Sequence, residues 1–373
     1  MKRICLFFLA LTFILTANET GWSQENAKHY KIDKIVLDPG HGGYDSGASG
    51  KNSREKDITL AIALEAGKLI KERLPDVEVI FTRTDDTFVK LHDRAETANQ
   101  NDADLFISIH CNSSPSAKAF GAETYVMGLH KTNENLKVAK AENAAILLED
   151  NYQEQYDGFD PNSDEDYNML NMFQSANMEQ SLEFSQLLQD QMRTTAGLYD
   201  RGVRQAGFVV LYLTTMPGVL LETGFLSNPG EERFLLEPEH QREIANAVAN
   251  AVTEYKQATD KKLAALEKST LHHSPTTTEP QKSYRIEFIS LKKKKPATDK
   301  LFKGMDNVWY YFENGRYHYT FGKTDSFEKA NVLYQKAILN KKIKWKYLKS
   351  AEIVEFENEK VTNKIKAIDN LKK

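Results

Sequence analysis

Apolar residues gather in short runs separated by longer mixed segments. Ile35–Asp38, Val77–Arg83, Leu105–His110, Glu123–Met127 and Val219–Glu222 are apolar or β-branched over most of their length. Continuous apolar runs of this length suit strands buried on both faces. Phe208–Leu213 reads as a further strand. Between the runs, the spacing predicts helices over Ile58–Arg73, Leu91–Asn101, Leu136–Glu149, Ser181–Ala196 and Glu237–Lys256. The first carries Leu60, Ala63, Leu64, Gly67 and Ile70 on an approximate stripe, and the last tolerates Pro238 in its first turn. Strand and helix alternate, so the expected fold is α/β: a mostly parallel twisted sheet flanked by helices on both faces. Ligands of such sheets gather beyond the carboxyl ends of the strands.

Two segments break the alternation. Glu149 to Asn168 holds eight acids together with Gly158 and Pro161, and is expected as a solvated surface insertion. Residues 257–282 form a linker, in which the preceding helix frays through Lys261–Lys268 and meets "STLHHSPTTTEPQK". His272 and His273 have no nearby acids or cysteines and are expected at the surface. A second domain follows over residues 283–360. Tyr284–Leu291 alternates as a strand, with Ile286 and Phe288 on one face and Arg285 and Glu287 on the other. Trp309–Phe312 and Tyr317–Phe321 flank an Asn-Gly pair, the strongest short hairpin signal. With a helix over Ser326–Leu339 and a strand over Glu352–Phe356, this is a small α+β domain of four strands with one open sheet face.

Charge sharpens this division. The 373 residues sum to a net charge of −4. From Ser283 onward there are 21 Lys and Arg against 11 Asp and Glu, which leaves 28 against 42 before it. An acidic body with a basic tail domain points to modules with different partners. Residues 1–24 read as a signal peptide: Met1-Lys2-Arg3 is positive and Ile4 to Ala17 is apolar, shorter than a spanning helix needs. The expectation is an exported, periplasmic protein. Removal of that segment leaves Cys111 as the lone cysteine, so no internal disulfide forms.

Four residues carry the candidate chemistry. His41 stands in "LDPGHGG" after the first strand, and Glu55 in "SREKD" before the first helix. His110 ends "LFISIH" and Glu222 ends "VLLE". In a parallel sheet all four converge on one edge. Two imidazoles and a carboxylate form a known zinc shell with water as fourth ligand. Glu222 follows three apolar residues, and a partly buried carboxylate has a raised pKa suited to moving protons. Cys111, adjacent to His110 on a strand, points to the opposite face and is not expected as a ligand. Two rivals to a metal-dependent amide hydrolase stay open: a zinc carboxypeptidase acting on free peptides, and a protein that binds without catalysis.

"IVLDPGHGGYDSGASG", "SREKDITLAIA", "DADLFISIHCNS" and "MPGVLLETGFLSNPGEERFL" together resemble the zinc-dependent N-acetylmuramoyl-L-alanine amidases of the amidase-3 type, over residues 33–256. The resemblance implies that His41, Glu55 and His110 bind Zn2+ and that Glu222 is the catalytic glutamate. It implies peptidoglycan as partner, cleavage between N-acetylmuramic acid and the L-alanine of the stem peptide, and a role in daughter-cell separation. Asn112 and Arg94 are expected to contact substrate, with Arg83 a weaker candidate for steering the anionic stem peptide. Several members of this family cover the zinc with an inserted helix until an activator protein removes it. Residues 130–180 occupy that place, so the resemblance implies a regulatory insertion acting through an acid that the sequence does not single out. "FKGMDNVWYYFENGRYHYTFGKTDSFEKA" and "AEIVEFENEK" are loosely similar to SPOR-type domains that bind peptidoglycan. The open sheet also resembles an RNA-binding module in outline. The RNP pattern is missing and the chain carries an export signal, so no nucleic acid partner is expected. A monomer is expected.

Overall fold

Lys34–Pro39 (β1) forms where three consecutive residues, Ile35, Val36 and Leu37, are all fully buried. Leu105–Asn112 (β3) and Gly218–Phe225 (β6) are buried along their whole length, which explains their unbroken apolar runs. Glu78–Phe81 (β2) and β3 flank β1 in parallel, and β6 adds in parallel to β3. Ala122–Met127 (β4) then runs antiparallel to β6, with Asp200–Ala206 (β5) parallel to β4 at the edge. The sheet order is β2-β1-β3-β6-β4-β5. The expected mostly parallel, helix-flanked α/β sheet is therefore present.

The structure is a computed structural model and describes residues 31–156, 158–171, 177–272, 282–296, 300–302, 308–324, 326–339, 351–357 and 360–366. The expected signal peptide lies outside these residues. In chain order the helices of the first unit are Glu55–Arg73 (α1), Leu91–Gln100 (α2), Asn133–Asn143 (α3), Tyr152–Gln155 (α4), Asp164–Asn171 (α5), Met178–Thr194 (α6), Val209–Tyr212 (α7), Pro229–Leu236 (α8) and Pro238–His272 (α9). One face of the sheet packs α1, α6 and α9 through Ile62, Ile70, Phe184, Leu188, Val248 and Tyr255. The other packs α2, α3 and α7 through Ala98, Ala139, Val209, Phe106 and Tyr125.

Four expectations need correction. Phe208–Leu213 is not a strand; Val209–Tyr212 turns as a short helix. The strand belongs instead to Asp200–Ala206, whose sequence DRGVRQA is polar because an edge strand has one paired side. The acidic segment after Glu149 is not a bare loop, since it folds into α4 and α5. Helix α9 runs to His272, so the first part of the linker is helical; residues 273–281 lie outside the described ones. The short helix α8 was not expected. Asn228 caps it, its side chain accepting from the Gly230 and Glu231 amides, and Pro229 sits in its first turn.

The chain divides into two compact units that part near residue 274. The second carries a five-stranded antiparallel sheet in the order β11-β10-β7-β9-β8. Its strands are Lys282–Leu291 (β7), Trp309–Glu313 (β8), Arg316–Thr324 (β9), Glu352–Glu357 (β10) and Lys360–Lys366 (β11), with Phe327–Leu339 (α10). Ile286, Phe288, Tyr319, Phe321, Ala330 and Tyr334 form its core. The hairpin stands where Asn-Gly predicts it, with Asn314 and Gly315 at φ 51° and 74°. Four strands were expected and five are present. The fifth, KVTNKIK, is a lysine-rich edge strand with no clear apolar face. Among the described residues no helix is long and apolar enough to cross a membrane.

Candidate metal centre

The chain leaves β1 through a turn that only small residues can line. His41 itself takes φ 59°, a conformation costly for a side chain-bearing residue. A Cβ on Gly40 would lie 2.4 Å from the His110 ring, and one on Gly47 would lie 2.4 Å from Glu55 Oε2. The glycines of "GHGG" and "SGAS" are thus the space into which the site's side chains fit. Two buried arginines hold the turn in place. Arg94 donates from Nη1 to Asp38 Oδ1 (2.8 Å) and to the Pro39 carbonyl (2.7 Å), from Nη2 to the His41 carbonyl (2.7 Å), and from Nε to the Val89 carbonyl (2.9 Å). Arg83 donates to the carbonyls of Pro39, Gly40 and Lys56. Buried carbonyls in an irregular turn need such partners.

Three of the predicted residues meet here. His41 Nε2 lies 3.1 Å from Glu55 Oε2, and His110 Nδ1 lies 3.0 Å from Glu55 Oε1. Glu55 is the first residue of α1, where the helix N-terminus favours an anion. It is fully buried and accepts from the Ala48 amide (2.7 Å) and the Cys111 amide (2.9 Å). A fourth group completes the cluster. Glu142 on α3 places Oε2 3.1 Å from His41 Nε2 and 2.8 Å from His110 Nδ1. The outer nitrogen of each imidazole is also held. His41 Nδ1 pairs with Asp45 Oδ2 at 2.8 Å, while His110 Nε2 meets Ser108 Oγ at 3.1 Å. Ser108 Oγ in turn donates to Asp38 Oδ2 at 2.7 Å.

The donor set fits a divalent metal. One atom from each of His41, Glu55, His110 and Glu142 lies within 4.8 Å of all the others. Two carboxylates facing two imidazoles in a buried space carry two negative charges that need compensation. Without a cation that role falls to protons. Burial lowers the pKa of His110, yet Glu142 and Glu55 outweigh it and hold it up to about 9. His41 is raised well above its usual range, Glu55 and Asp45 overcoming the effect of burial. Burial opposes ionisation of Glu55, but the two imidazoles hold its carboxyl below the usual range. A metal ion replaces both protons at once. The outer contacts of the imidazoles, to a carboxylate and to a serine that donates to one, are those that orient metal-bound histidines.

Glu222 lies within β6 rather than at its end, directly opposite His110 on β3 and Glu123 on β4. It is fully buried, and neither carboxylate oxygen has a hydrogen-bond partner among the described residues. Burial, then Glu142, Glu55 and Glu123, raise its pKa well above the usual value. Its two unpartnered oxygens and that upward shift set Glu222 apart from the ionised, hydrogen-bonded Glu55.

A cleft of about 900 Å³ opens beside these groups, lined among others by His41, Asp45, Asn112, Glu142, Arg201 and Arg204. Asn112 reaches it, its Nδ2 donating to Glu123 Oε1 at 2.8 Å. Arg94 does not. It is 2% exposed, with its donors spent on Asp38 and three carbonyls, so it holds the His41 turn instead of contacting substrate. Arg83 is buried in the same way. Cys111 points into the core beside Thr223, where burial pushes its thiol up.

Sequence reading missed Asp45, Ser108 and Glu142. Asp45 had a signal in its place four residues after His41 on the same turn. Glu142 had a fainter one: Asn135, Ala139 and Asn143 mark the buried side of α3, a face without large apolar residues.

The family profile described as "Amidase_3: N-acetylmuramoyl-L-alanine amidase" matches residues 35–254. N-acetylmuramoyl-L-alanine amidase AmiA of Escherichia coli (strain K12) is 33% identical over 247 residues, 65% of this chain and 82% of that protein. AmiC of Escherichia coli O6:H1 is 34% identical over 226 residues, 59% of this chain and 52% of that protein. Among solved structures, the catalytic domain of CwlV, an amidase from Bacillus (Paenibacillus) polymyxa var. colistinus, is 32% identical, with a TM-score of 0.44 over 60% of this chain and 98% of that one. The matched family segment ends before the second unit begins.

Proposed function

The chain belongs to the Amidase_3 family of N-acetylmuramoyl-L-alanine amidases, and from that premise we propose that it hydrolyses the amide between the lactyl group of N-acetylmuramic acid and the L-alanine of the stem peptide. The observation that carries this reading is a buried carboxyl without partners, Glu222, set opposite one imidazole of the His41–Glu55–His110 cluster. His41, Glu55 and His110 would hold zinc. Zinc bound there supplies a Lewis acid and a water that ionises near neutral pH.

The protein's own groups then divide the work. Asp45 and Ser108 fix the two imidazoles so that the nitrogens facing Glu55 present lone pairs. Glu222, once ionised, takes the proton of the attacking water. It returns that proton to the alanine nitrogen as the carbon–nitrogen bond breaks, leaving a lactyl carboxylate and a free stem peptide. Its raised pKa suits the second half of that cycle, in which a proton must be given up to an amine.

Glu142 makes the resting site closed. Catalytic zinc sites keep one position open, whereas structural sites fill all four. Glu142 stands between both imidazoles, so α3 must withdraw before a carbonyl can enter. The insertion is thus a gate with Glu142 as its bolt, and a partner that displaces α3 would act as activator. The second unit is read as a wall-binding module. Arg285, itself buried, lies under Trp309 at 4.0 Å, and Trp309 is the exposed aromatic ring that this side of the sheet offers to a sugar. Export to the periplasm and a role in separating daughter cells accord with this reading.

The deciding experiment incubates the protein and its Glu222→Gln variant with purified peptidoglycan, with and without chelator, and identifies the released ends. Free L-alanine amino termini and intact stem peptides are expected from the untreated wild type alone. Release indifferent to both changes overturns the reading, and release of single terminal residues favours a carboxypeptidase.

A further inference from the structure

The cleft runs along the antiparallel edge of the sheet, past Glu123, Arg201 and Arg204, and a second charged group stands there. Glu123, directly opposite Glu222, is 2% exposed. Its carboxylate accepts from Arg201 Nε at 2.8 Å, Asn112 Nδ2 at 2.8 Å and the Tyr125 hydroxyl at 2.9 Å, and forms an ion pair with Arg204, whose Nε lies 3.0 Å away without hydrogen-bond geometry. Arginines three apart on a strand ordinarily point to opposite faces. Between Ala122 and Thr124 the register with β5 shifts, and Gly202 at φ 85° takes up the extra residue. This bulge turns both arginines toward Glu123.

Two guanidiniums share the Glu123 carboxylate. Glu231 also lies within electrostatic reach of Arg201, but its oxygens accept from the Gly121 and Phe225 amides, so it takes no guanidinium hydrogen bond. Arg201 rests on the Phe225 ring at 4.8 Å and donates from Nη1 to the Phe120 carbonyl, while Arg204 donates from Nη1 to Asn135 Oδ1. Among the described residues, neither Nη2 has an acceptor. Both side chains are about a fifth exposed (23% and 22%), and both line the cleft. Guanidiniums held rigidly by one anion with donors still free are pre-organised for a second anion of planar shape.

We infer that Arg201 and Arg204 form a carboxylate subsite on the leaving-peptide side of the scissile amide, selecting stem peptides by a free carboxylate near their amino end. This rests on the amidase reading above. Distance agrees: β5 lies two strand spacings from β6, about 10 Å, or about three extended residues. Within that span a wall peptide offers two carboxylates. One is the α-carboxylate of a second residue linked through its side chain, and the other lies on a diamino acid at position three.

The test measures binding of three synthetic stem peptides to the full chain by calorimetry. One carries both carboxylates, one is amidated at the second residue, and one is amidated at the third. Wild type should bind the doubly charged peptide about tenfold or more tightly than one amidated peptide, and the arm that loses affinity names the carboxylate. In Arg201→Gln and Arg204→Gln that preference should shrink to about twofold or less. A preference is a ratio within one variant, so partial loss of folded protein leaves it unchanged. Equal affinities for the three peptides, no binding of any, or an undiminished preference in both variants overturns the subsite. Release of stem peptides from peptidoglycan by wild type and by Glu142→Ala, followed in parallel, tests the amidase reading separately: no release by either sinks that reading, whatever the peptides do.

Discussion

Glu55 and Glu142 reach the same two imidazole nitrogens at nearly the same distances, yet they belong to regions built differently. Glu55 opens a long helix of the core, is fully buried, and is fastened by the Ala48 and Cys111 amides as well as by the histidines. Glu142 sits near the end of α3, the first helix of an insertion made of short helices, and among the described residues its carboxylate is held by the histidines alone. Leu147 and Leu148, just beyond it, are 43% and 48% exposed. A ligand fixed by backbone amides is permanent; one fixed only by the metal site is removable. Residue type and distance do not separate the two carboxylates, but their other hydrogen bonds do.

The largest effect that tests this contrast is loss of the chemistry itself. Glu222→Gln should lower peptide release by about 10³-fold, within the range for a group that moves the proton, while bound zinc per chain stays unchanged. Loss of zinc together with activity would make Glu222 a structural residue instead. Glu55→Ala should differ by losing zinc as well, seen by metal analysis after dialysis.

Glu142→Ala should move the other way. Freed of its bolt, the site should release peptides about tenfold faster or more from the full chain, and retain zinc through His41, Glu55 and His110. A fall in activity would place Glu142 among the permanent ligands and abolish the contrast.

The support under the permanent side can be probed through Arg94. Removal of its guanidinium leaves Asp38 buried with one charged partner fewer and the His41 carbonyl unsatisfied, while Arg83 still serves the Pro39 carbonyl. Arg94→Ala should therefore cost about 3–5 kcal/mol, read as a large drop in thermal midpoint. Arg94→Lys, which keeps the charge but not the fork, should fold and bind zinc about 10–100-fold more weakly.

Arg94 also shows where the sequence stopped being readable. The sheet could be anticipated because buried strands announce themselves as unbroken apolar runs, and the meeting of His41, Glu55 and His110 because the two histidines follow such runs and Glu55 opens the first helix. Arg94 could not be assigned, since an arginine that faces substrate and one that fastens a turn look alike until its acceptors are known. The edge strand Asp200–Ala206 and the lysine-rich Lys360–Lys366 were lost for another reason. Edge strands bury little, and their pattern is polar. Glu142 was hidden among the acids of the insertion because only the fold decides which of them meets the two histidines. The acid-rich segment after residue 149 drew attention by its composition, and the bolt lies upstream of it.

The smallest effect concerns how the insertion is pinned when closed. The Tyr156 hydroxyl donates to Glu149 Oε2 at 2.8 Å and accepts from the His92 amide at 2.9 Å, while Glu149 Oε1 takes the Leu91 amide at 2.9 Å. Glu149 and Tyr156 thus tie the segment after α3 to the free amides at the start of α2, which lack partners of their own within the helix. Tyr156→Phe deletes one hydroxyl from this tie, leaves the His92 amide unsatisfied, and touches no metal ligand. That should weaken closure by about 0.5–1 kcal/mol, a rise of about two- to fivefold in the open population. Basal peptide release should rise by a smaller factor than in Glu142→Ala, and in the double variant Tyr156→Phe should add nothing. An increase that adds to that of Glu142→Ala would mean the tie acts on catalysis by a route other than the bolt.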